Sequence, residues 1–563
     1  MLAVKNLWQS YTFPEKRDIG IYIAGIMFYK FGLEFFNGSF STLAPERWKD
    51  GKPFMKLGGA QGLNQAAQCV GAILIAPLVK KWPTRTVLSA AIIMFSLTAG
   101  ILLIVDTATG GKFKDPNTHE SKYGTWTPNL IFLFWTVSGI CYGMVELIRR
   151  VIPVDIVGGD VDKLRCMDAM VHIFYEIAGT GGAVASWSAI TQWGDNKSFL
   201  LTPVSFAFAG VTWWFISTLS FARERGVSEE VEAAGLAVVD RSQKPTTNYL
   251  VTVGRGFRSF GDSVWVGARL IFTNRCFIWL IPSYSVALYL HRFLENNLAP
   301  AFARRVLGKT QLSQIIVGGS NLGEASLVSA TLGRYLILQP QLLGALSVLM
   351  LSDTVPTPLP WLRFDAVALN LVWVVPAFAR IATQDAPWAW KVAGFFIPIS
   401  MGWAAGEVSL AAYIQSVLSE SAFHHERVSA LGSVMVRYPS ISGCRQILIS
   451  RYQAFLYTTY IVLYAALGVA LGKVIDDEQA DIKKGLTRVG GVQFSVSCVI
   501  ILASTFVPKG ARSFNPKTLG TITTGATPDQ SDSELGSING RNDDRDIKEG
   551  LSISRGNVQA IYD

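Results

Sequence analysis

The stretch Gly139-Ile-Cys-Tyr-Gly143-Met-Val-Glu146-Leu lies inside an apolar run, and far along the chain Gly402-Trp-Ala-Ala-Gly406-Glu407-Val-Ser-Leu repeats its plan. Each has two glycines four apart and a carboxylate within three residues of the second. On a helix, glycines at that spacing share a face and let a second backbone come close in lipid. Counting outward, each stretch lies in the fourth of six apolar runs: 18–44, 58–80, 84–105, 128–148, 167–192 and 200–222 in the first set, 269–291, 312–352, 364–383, 388–417, 454–472 and 489–508 in the second. Runs of about 20 residues cross a hydrocarbon core of about 30 Å as helices, which satisfy their own backbone hydrogen bonds. The chain therefore reads as an all-α membrane protein of about 12 transmembrane helices in two six-helix, pseudo-repeated bundles. Residues 1–17 read as an N-terminal cytoplasmic segment, 18–222 as the first bundle, 223–268 as a central cytoplasmic connector, 269–508 as the second bundle and 509–563 as a polar, disordered tail.

Composition agrees. Of the 563 residues, 50% are hydrophobic and 16% charged, with a mean hydropathy of +0.32, where a soluble domain carries roughly 25% charge. The net charge of +9 resides mainly in loops. It points to anionic headgroups of the lipid bilayer rather than to nucleic acid, for which no basic and aromatic surface is visible. The six cysteines are scattered, with no CxxC or Cys/His spacing, so neither a metal site nor a disulfide framework is expected. The first residues lack the apolar core of a cleaved signal, and the first span is expected to direct insertion itself. Lysines and arginines populate loops on both sides, so orientation rests on a sequon. Asn196-Lys-Ser198 reads as a glycosylation site, which must face outward if both termini and the connector are cytoplasmic.

The repeat extends to the second and eighth spans. Gly62-Leu-Asn64-Gln-Ala-Ala-Gln-Cys-Val-Gly71-Ala answers Gly319-Ser-Asn321-Leu-Gly323-Glu324, but the second glycine of the later copy comes late. Setting aside 325–341 restores the spacing, and setting aside 436–453 joins Met435 to Ala454 in one apolar helix. Both segments end in Gln, whose codon can be CAG, and the second begins Val-Arg, which can encode GTNAG. They read either as retained introns or as real insertions.

The six-plus-six layout, the repeat and the loop after the second span resemble the major facilitator superfamily. In that loop Ala76-Pro-Leu78-Val-Lys80-Lys81-Trp-Pro83-Thr-Arg85 keeps Leu78 and the basic residues of the family's Gly-x-Leu-Ala-Asp-Arg-x-Gly-Arg-Arg signature, with Lys80 in place of its acid. The resemblance implies a central cavity between the halves and alternating access by rocking. It also marks Lys80, Lys81 and Arg85, with Glu146, Arg149 and Arg150, as candidates for a cytoplasmic gate.

Ionisable side chains within apolar runs cost at least about 2.5–3.5 kcal/mol each to insert and generally face a bundle interior, where they do work. Lys30 and Glu34 stand four apart on one helical face and can pair. Asp168, His172 and Glu176 form a single stripe. It suits proton relay, divalent-metal coordination by imidazole and carboxylates, or a purely structural role. Glu324 and Glu407 follow glycines deep in apolar sequence, with Asn64 and Asn321 at corresponding places in the two halves. Glu146, beside Arg149 and Arg150 at a helix end, reads instead as part of a cytoplasmic ion-pair network with Asp155, Asp160 or Asp162.

No HExxH, no usable GxSxG and no clustered nucleophile and base are present, so no enzymatic activity and no cofactor are expected. The expected function is secondary active transport of a small molecule or ion by alternating access, as a proton-coupled symporter or antiporter acting as a monomer. The alternative is a non-transporting membrane receptor or scaffold. The sequence does not distinguish plasma membrane from vacuole or endomembrane.

Overall fold

A computed structural model describes residues 11–49, 51–115, 121–149, 152–157, 161–217, 249–273, 275–325, 355, 357–420, 443–516 and 519. Six long elements make the first half: α1 (Phe13–Arg47), α2 (Pro53–Lys81), α3 (Thr84–Ala108), α4 (Leu130–Arg149), α5 (Val161–Trp193) and α6 (Leu201–Trp214). Local chemistry sets their starts. Thr12 and Glu15 close a capping box on α1, in which the Thr12 side chain accepts from the Glu15 N–H and Glu15 accepts from the Thr12 N–H. Proline stands first in α2, where its missing N–H costs nothing.

Beyond the connector come α7 (Tyr249–Thr273) and α8, a succession of helical segments from Arg275 to Arg305 that includes π-helical turns at Ile281–Val286 and Leu294–Leu298. Then follow α9 (Ser313–Ala325), α10 (Leu359–Phe378), α11 (Ala386–Glu420), α12 (Gly443–Asp477) and α13 (Ile482–Ser504). Seven of the described helices are long and apolar enough to cross a membrane. The molecule is an integral, multi-pass membrane protein. Exposed Ile93, Leu97, Ile101 and Ile104 run down one face of α3, and Val492, Val496 and Val499 down one face of α13, as lipid contact requires.

Two expectations change. The seventh span does not end at residue 291, because α8 continues through His291-Arg292-Phe-Leu-Glu295-Asn296-Asn297. Those polar side chains turn inward, so hydropathy drops while the helix goes on. The last part of the connector is helical too: α7 packs against α2 and α12, and the Tyr249 hydroxyl donates to the Leu74 carbonyl at 2.9 Å. Residues 326–341 and 436–442 of the two removable segments lie outside the described residues, whereas 443–453 form the first turns of α12.

The repeated glycines do bring backbones together. A Cβ on Gly139 would stand 2.5 Å from the Asn64 carbonyl oxygen, and one on Gly143 would stand 2.0 Å from that of Gln68, so α4 lies directly on α2. Gly402 and Gly406 serve the same purpose against α10, where added methyls would meet Asp365 and Leu362.

Asn196 corrects the sequon reading. It is 2% exposed, and its amide nitrogen donates to Asp106 and to the Lys112 and Lys122 carbonyls. A glycan on that atom is incompatible with the fold. The neighbouring Asp195, buried in the same loop, has its carboxyl pushed up to about 6 by loss of solvation, against the Tyr123 hydroxyl that donates to it. Its folded-state value lies above the ordinary 3.8. Its contribution therefore favours folding fully below that value and is lost as pH rises through about 6, a difference on the order of 3 kcal/mol. Asp195→Asn is expected to raise the melting temperature at pH 8 and to leave it nearly unchanged at pH 4, as thermal unfolding in detergent will show.

Candidate functional site

Where the two halves face each other lies a cavity of about 400 Å³. Its wall draws on α1 to α5 from the first half and on α8, α9, α11 and α12 from the second, with Phe260 of α7 also lining it. On α2 the residues Gln61, Asn64, Gln65 and Gln68 follow helical spacing and turn a stripe of amides inward. The stripe is anchored: Asn64 donates to the Trp135 carbonyl at 2.8 Å, Gln68 donates to Asn64 at 2.9 Å, and the Trp135 indole donates to Gln61 at 3.3 Å.

Lys30 and Glu34 form the pair that their spacing predicts, at 2.6 Å, with both residues buried. The Lys30 ammonium also lies 4.6 Å from the centre of the Tyr175 ring, and the Arg149 guanidinium lies 4.6 Å from the same ring. An electron-rich ring face between two cations gains electrostatically from both. Glu146 binds Arg149 at 2.6 Å and accepts from the Tyr29 hydroxyl at 3.1 Å. It lines the cavity, so the end of α4 faces inward rather than only toward a cytoplasmic network. The side chains of Asp155, Asp160 and Asp162 lie outside the described residues.

The cavity also gathers Glu176, Glu407, Asn64 and Asn321, the last two from corresponding places in the two halves. Glu176 is 3% exposed, and its Oε2 has no hydrogen-bond partner; the Asn321 amide nitrogen, in a residue 5% exposed, has none either. The side chains of Asp168, His172, Glu324, Lys80 and Lys81 lie outside the described residues, as does Arg150 altogether. Arg85 sits away from the cavity with its guanidinium 6.0 Å from the Trp214 ring.

Two groups were missed by sequence reasoning. Arg292, Glu295 and Asn296 line the cavity from α8, with Arg292 and Glu295 paired at 3.1 Å. His291 on the same helix reaches Asp365 of α10 at 3.0 Å, both residues buried, and packs with its ring tilted 37° against Trp403 at 5.0 Å. A helix periodicity carried on through the polar run after residue 290 would have revealed the first group. The second joins positions 74 residues apart and leaves no local signal.

One end of the cavity is sealed, where α1 turns into α2 and α12 into α13. Glu46 pairs with Arg304 at 3.5 Å and accepts from Thr310, Lys52 pairs with Asp477 at 2.8 Å, and Gln314 donates to Ser41 at 3.0 Å. Asp476 accepts from the free N–H groups of Phe54 and Met55 at the start of α2 and pairs with Arg305 at 3.4 Å. It thus caps a helix of one half from the other. Among the described residues, the two ion pairs between the halves, Lys52–Asp477 and Glu46–Arg304, both lie at this end.

Solved transporter structures share this architecture. The chain is similar to a D-xylose-proton symporter, with 9% identity, a TM-score of 0.53 and coverage of 89% of this chain and 97% of that one. It matches the partially occluded, inward-open xylose transporter XylE from E. coli at 11% identity and a TM-score of 0.53, over 88% of this chain and 97% of that one. Against the nucleoside transporter NupG the values are 13% and 0.51, over 87% and 98%. The fold is that of the major facilitator transporters. No family model matches the chain, and no curated protein matches it.

Proposed function

We propose that this protein is a secondary active transporter that carries a small solute through the central cavity by alternating access, coupled to protons. The observation that carries the reading is the cavity itself: a polar, charge-lined chamber at the meeting of two halves, sealed at one end by two ion pairs and a helix cap that cross between them. Burying so many ionisable groups in a membrane bundle is costly, and a purely structural scaffold has no need of them. The likeness to a sugar-proton symporter and a nucleoside transporter supports the same reading. With cytoplasmic termini, the sealed end faces outward and the cavity is reached from the cytoplasm. Rocking the halves breaks the latch formed by Glu46, Lys52, Asp476 and Asp477 with their partners and exposes the same cavity on the other side.

Proton coupling is assigned to Glu176 and Glu407, with Asp168 and His172 on the Glu176 helix as further carriers. Neutralising a carboxylate that alternately binds and releases a proton uncouples the cycle from pH. Glu176→Gln or Glu407→Gln is therefore expected to abolish pH-driven uptake into proteoliposomes while the protein still reaches its membrane. Substrates for the assay come from a thermal-shift screen against metabolites and metals. Wild-type, pH-sensitive transport in both variants removes these residues from the mechanism.

A further inference from the structure

Among the described residues, the charges around the cavity do not balance: two cations line it, Lys30 and Arg292, against five carboxylates. Lys30 is matched by Glu34, Arg292 by Glu295, and Glu146 by Arg149 just behind the wall. Glu176 and Glu407 are left over, among the described residues, with no cation of their own. Glu176 lies in the electrostatic reach of Lys30, but that ammonium already donates to Glu34. Oε2 of Glu176, a residue that lines the chamber, is buried without a hydrogen bond from the protein. An unpartnered buried carboxylate oxygen costs free energy that a bound ligand recovers.

The surroundings narrow the ligand further. Helix α9 packs against both α5 and α11, so Glu176, Asn321 and Glu407 are carried on three neighbouring helices. The Asn321 amide nitrogen, in a residue that also lines the chamber, is buried without an acceptor from the protein. Tyrosine rings complete the wall, and one of them, Tyr175, already accommodates two cations of the protein. Resting on the transporter reading, we infer that the substrate is a small protonated amine that also bears hydroxyl or carbonyl oxygens. Its ammonium group is held by Glu176 and Glu407, and an oxygen is held by Asn321. Anions are disfavoured by the two uncompensated carboxylates, and neutral solutes leave them unmatched.

Matched probes test this. D-glucosamine, D-glucose and D-glucuronate share a ring and differ in charge, and cadaverine, 1,5-pentanediol and glutarate do the same on a linear frame. With the full chain purified in nanodiscs, at least one of the two amines is expected to raise the unfolding temperature in a saturable manner, and the neutral and anionic partners are not. Apparent affinity for that amine should fall about tenfold or more in Glu176→Gln and in Glu407→Gln, each of which removes a charged contact. It should not change in Glu478→Gln, whose carboxylate lies outside the cavity and pairs with Lys484 and Arg488. Stabilisation by the neutral or anionic members instead, or by neither amine, overturns the inference, and because it is read on the unaltered chain it does not depend on how the variants fold. Uptake of the same probes into proteoliposomes separates the two readings. Amine binding without passage keeps the inferred ligand and sinks transport, whereas passage of only a neutral or anionic member keeps transport and sinks the inferred ligand.

Discussion

Leucine at Gly58 or at Gly472 is expected to leave the protein folded but hold the sealed end of the cavity open. At that end α2 of the first half and α12 of the second touch backbone to backbone. A Cβ on Gly58 would lie 2.2 Å from the Gly468 carbonyl oxygen, and one on Gly472 would lie 2.3 Å from that of Phe54. One turn further along α2 a Cβ on Gly62 would lie 2.9 Å from Ala465 Cα. No rotamer relieves a clash with main chain. The helices must separate, and the same separation stretches the capping of α2 by Asp476. Overpacking costs about 1–3 kcal/mol. If the cost falls on the closed form alone, it moves the equilibrium toward the open form by about five- to 150-fold.

The measurement is labelling of Ser41→Cys, at a position that lines the cavity beside the seal, in a background without other cysteines. An impermeant maleimide added from the sealed side should react at least about fivefold faster in the leucine variants, following the population. Gly143→Ala provides the contrast. Its methyl would strike the Gln68 carbonyl within one half, a contact that rocking does not break. It should lower the melting temperature without exposing Ser41→Cys. Unchanged labelling in the leucine variants, together with a fall in stability like that of Gly143→Ala, would show the seal to be a fixed interface.

How far the chain could be read without coordinates follows from what each feature depends on. The seven described helices able to cross a membrane were legible because crossing lipid demands a run of apolar residues, and that demand is local. The Lys30–Glu34 pair was legible because four residues make about one helical turn. The close approach at Gly139 and Gly143 followed from spacing, but not the partner helix. The polar inner face of α8 was lost because the criterion that finds a helix in lipid rejects one that faces a wet cavity. Asn196 misled for the opposite reason: a sequon is a three-residue pattern, and only the folded loop shows that Asp106 has taken its amide. The imbalance of charge around Glu176 and Glu407 is a property of the assembled wall.

The other large effect concerns His291 and Asp365. Each is almost sealed from solvent, at 5% and 1% exposure, and they meet at 3.0 Å across α8 and α10. The second carboxylate oxygen of Asp365 has no hydrogen-bond partner, and Gly402 of α11 closes over it so tightly that an added methyl would come within 3.1 Å of Asp365 Oδ1. His291→Leu therefore strips Asp365 of its hydrogen bond in a site with no room for a side chain to replace it. Leaving a buried carboxyl without its hydrogen-bond partner costs about 1–3 kcal/mol, and more where the group is charged. Replacing both with apolar groups of similar shape is often neutral. The double variant His291→Leu/Asp365→Leu should regain most of the melting temperature that the single variant loses, since leucine has the same number of side-chain heavy atoms as aspartate. Thermal unfolding of the single and double variants side by side decides the matter. A double variant as unstable as the single one would place the cost in the lost packing of the imidazole on Trp403, not in the stranded carboxylate.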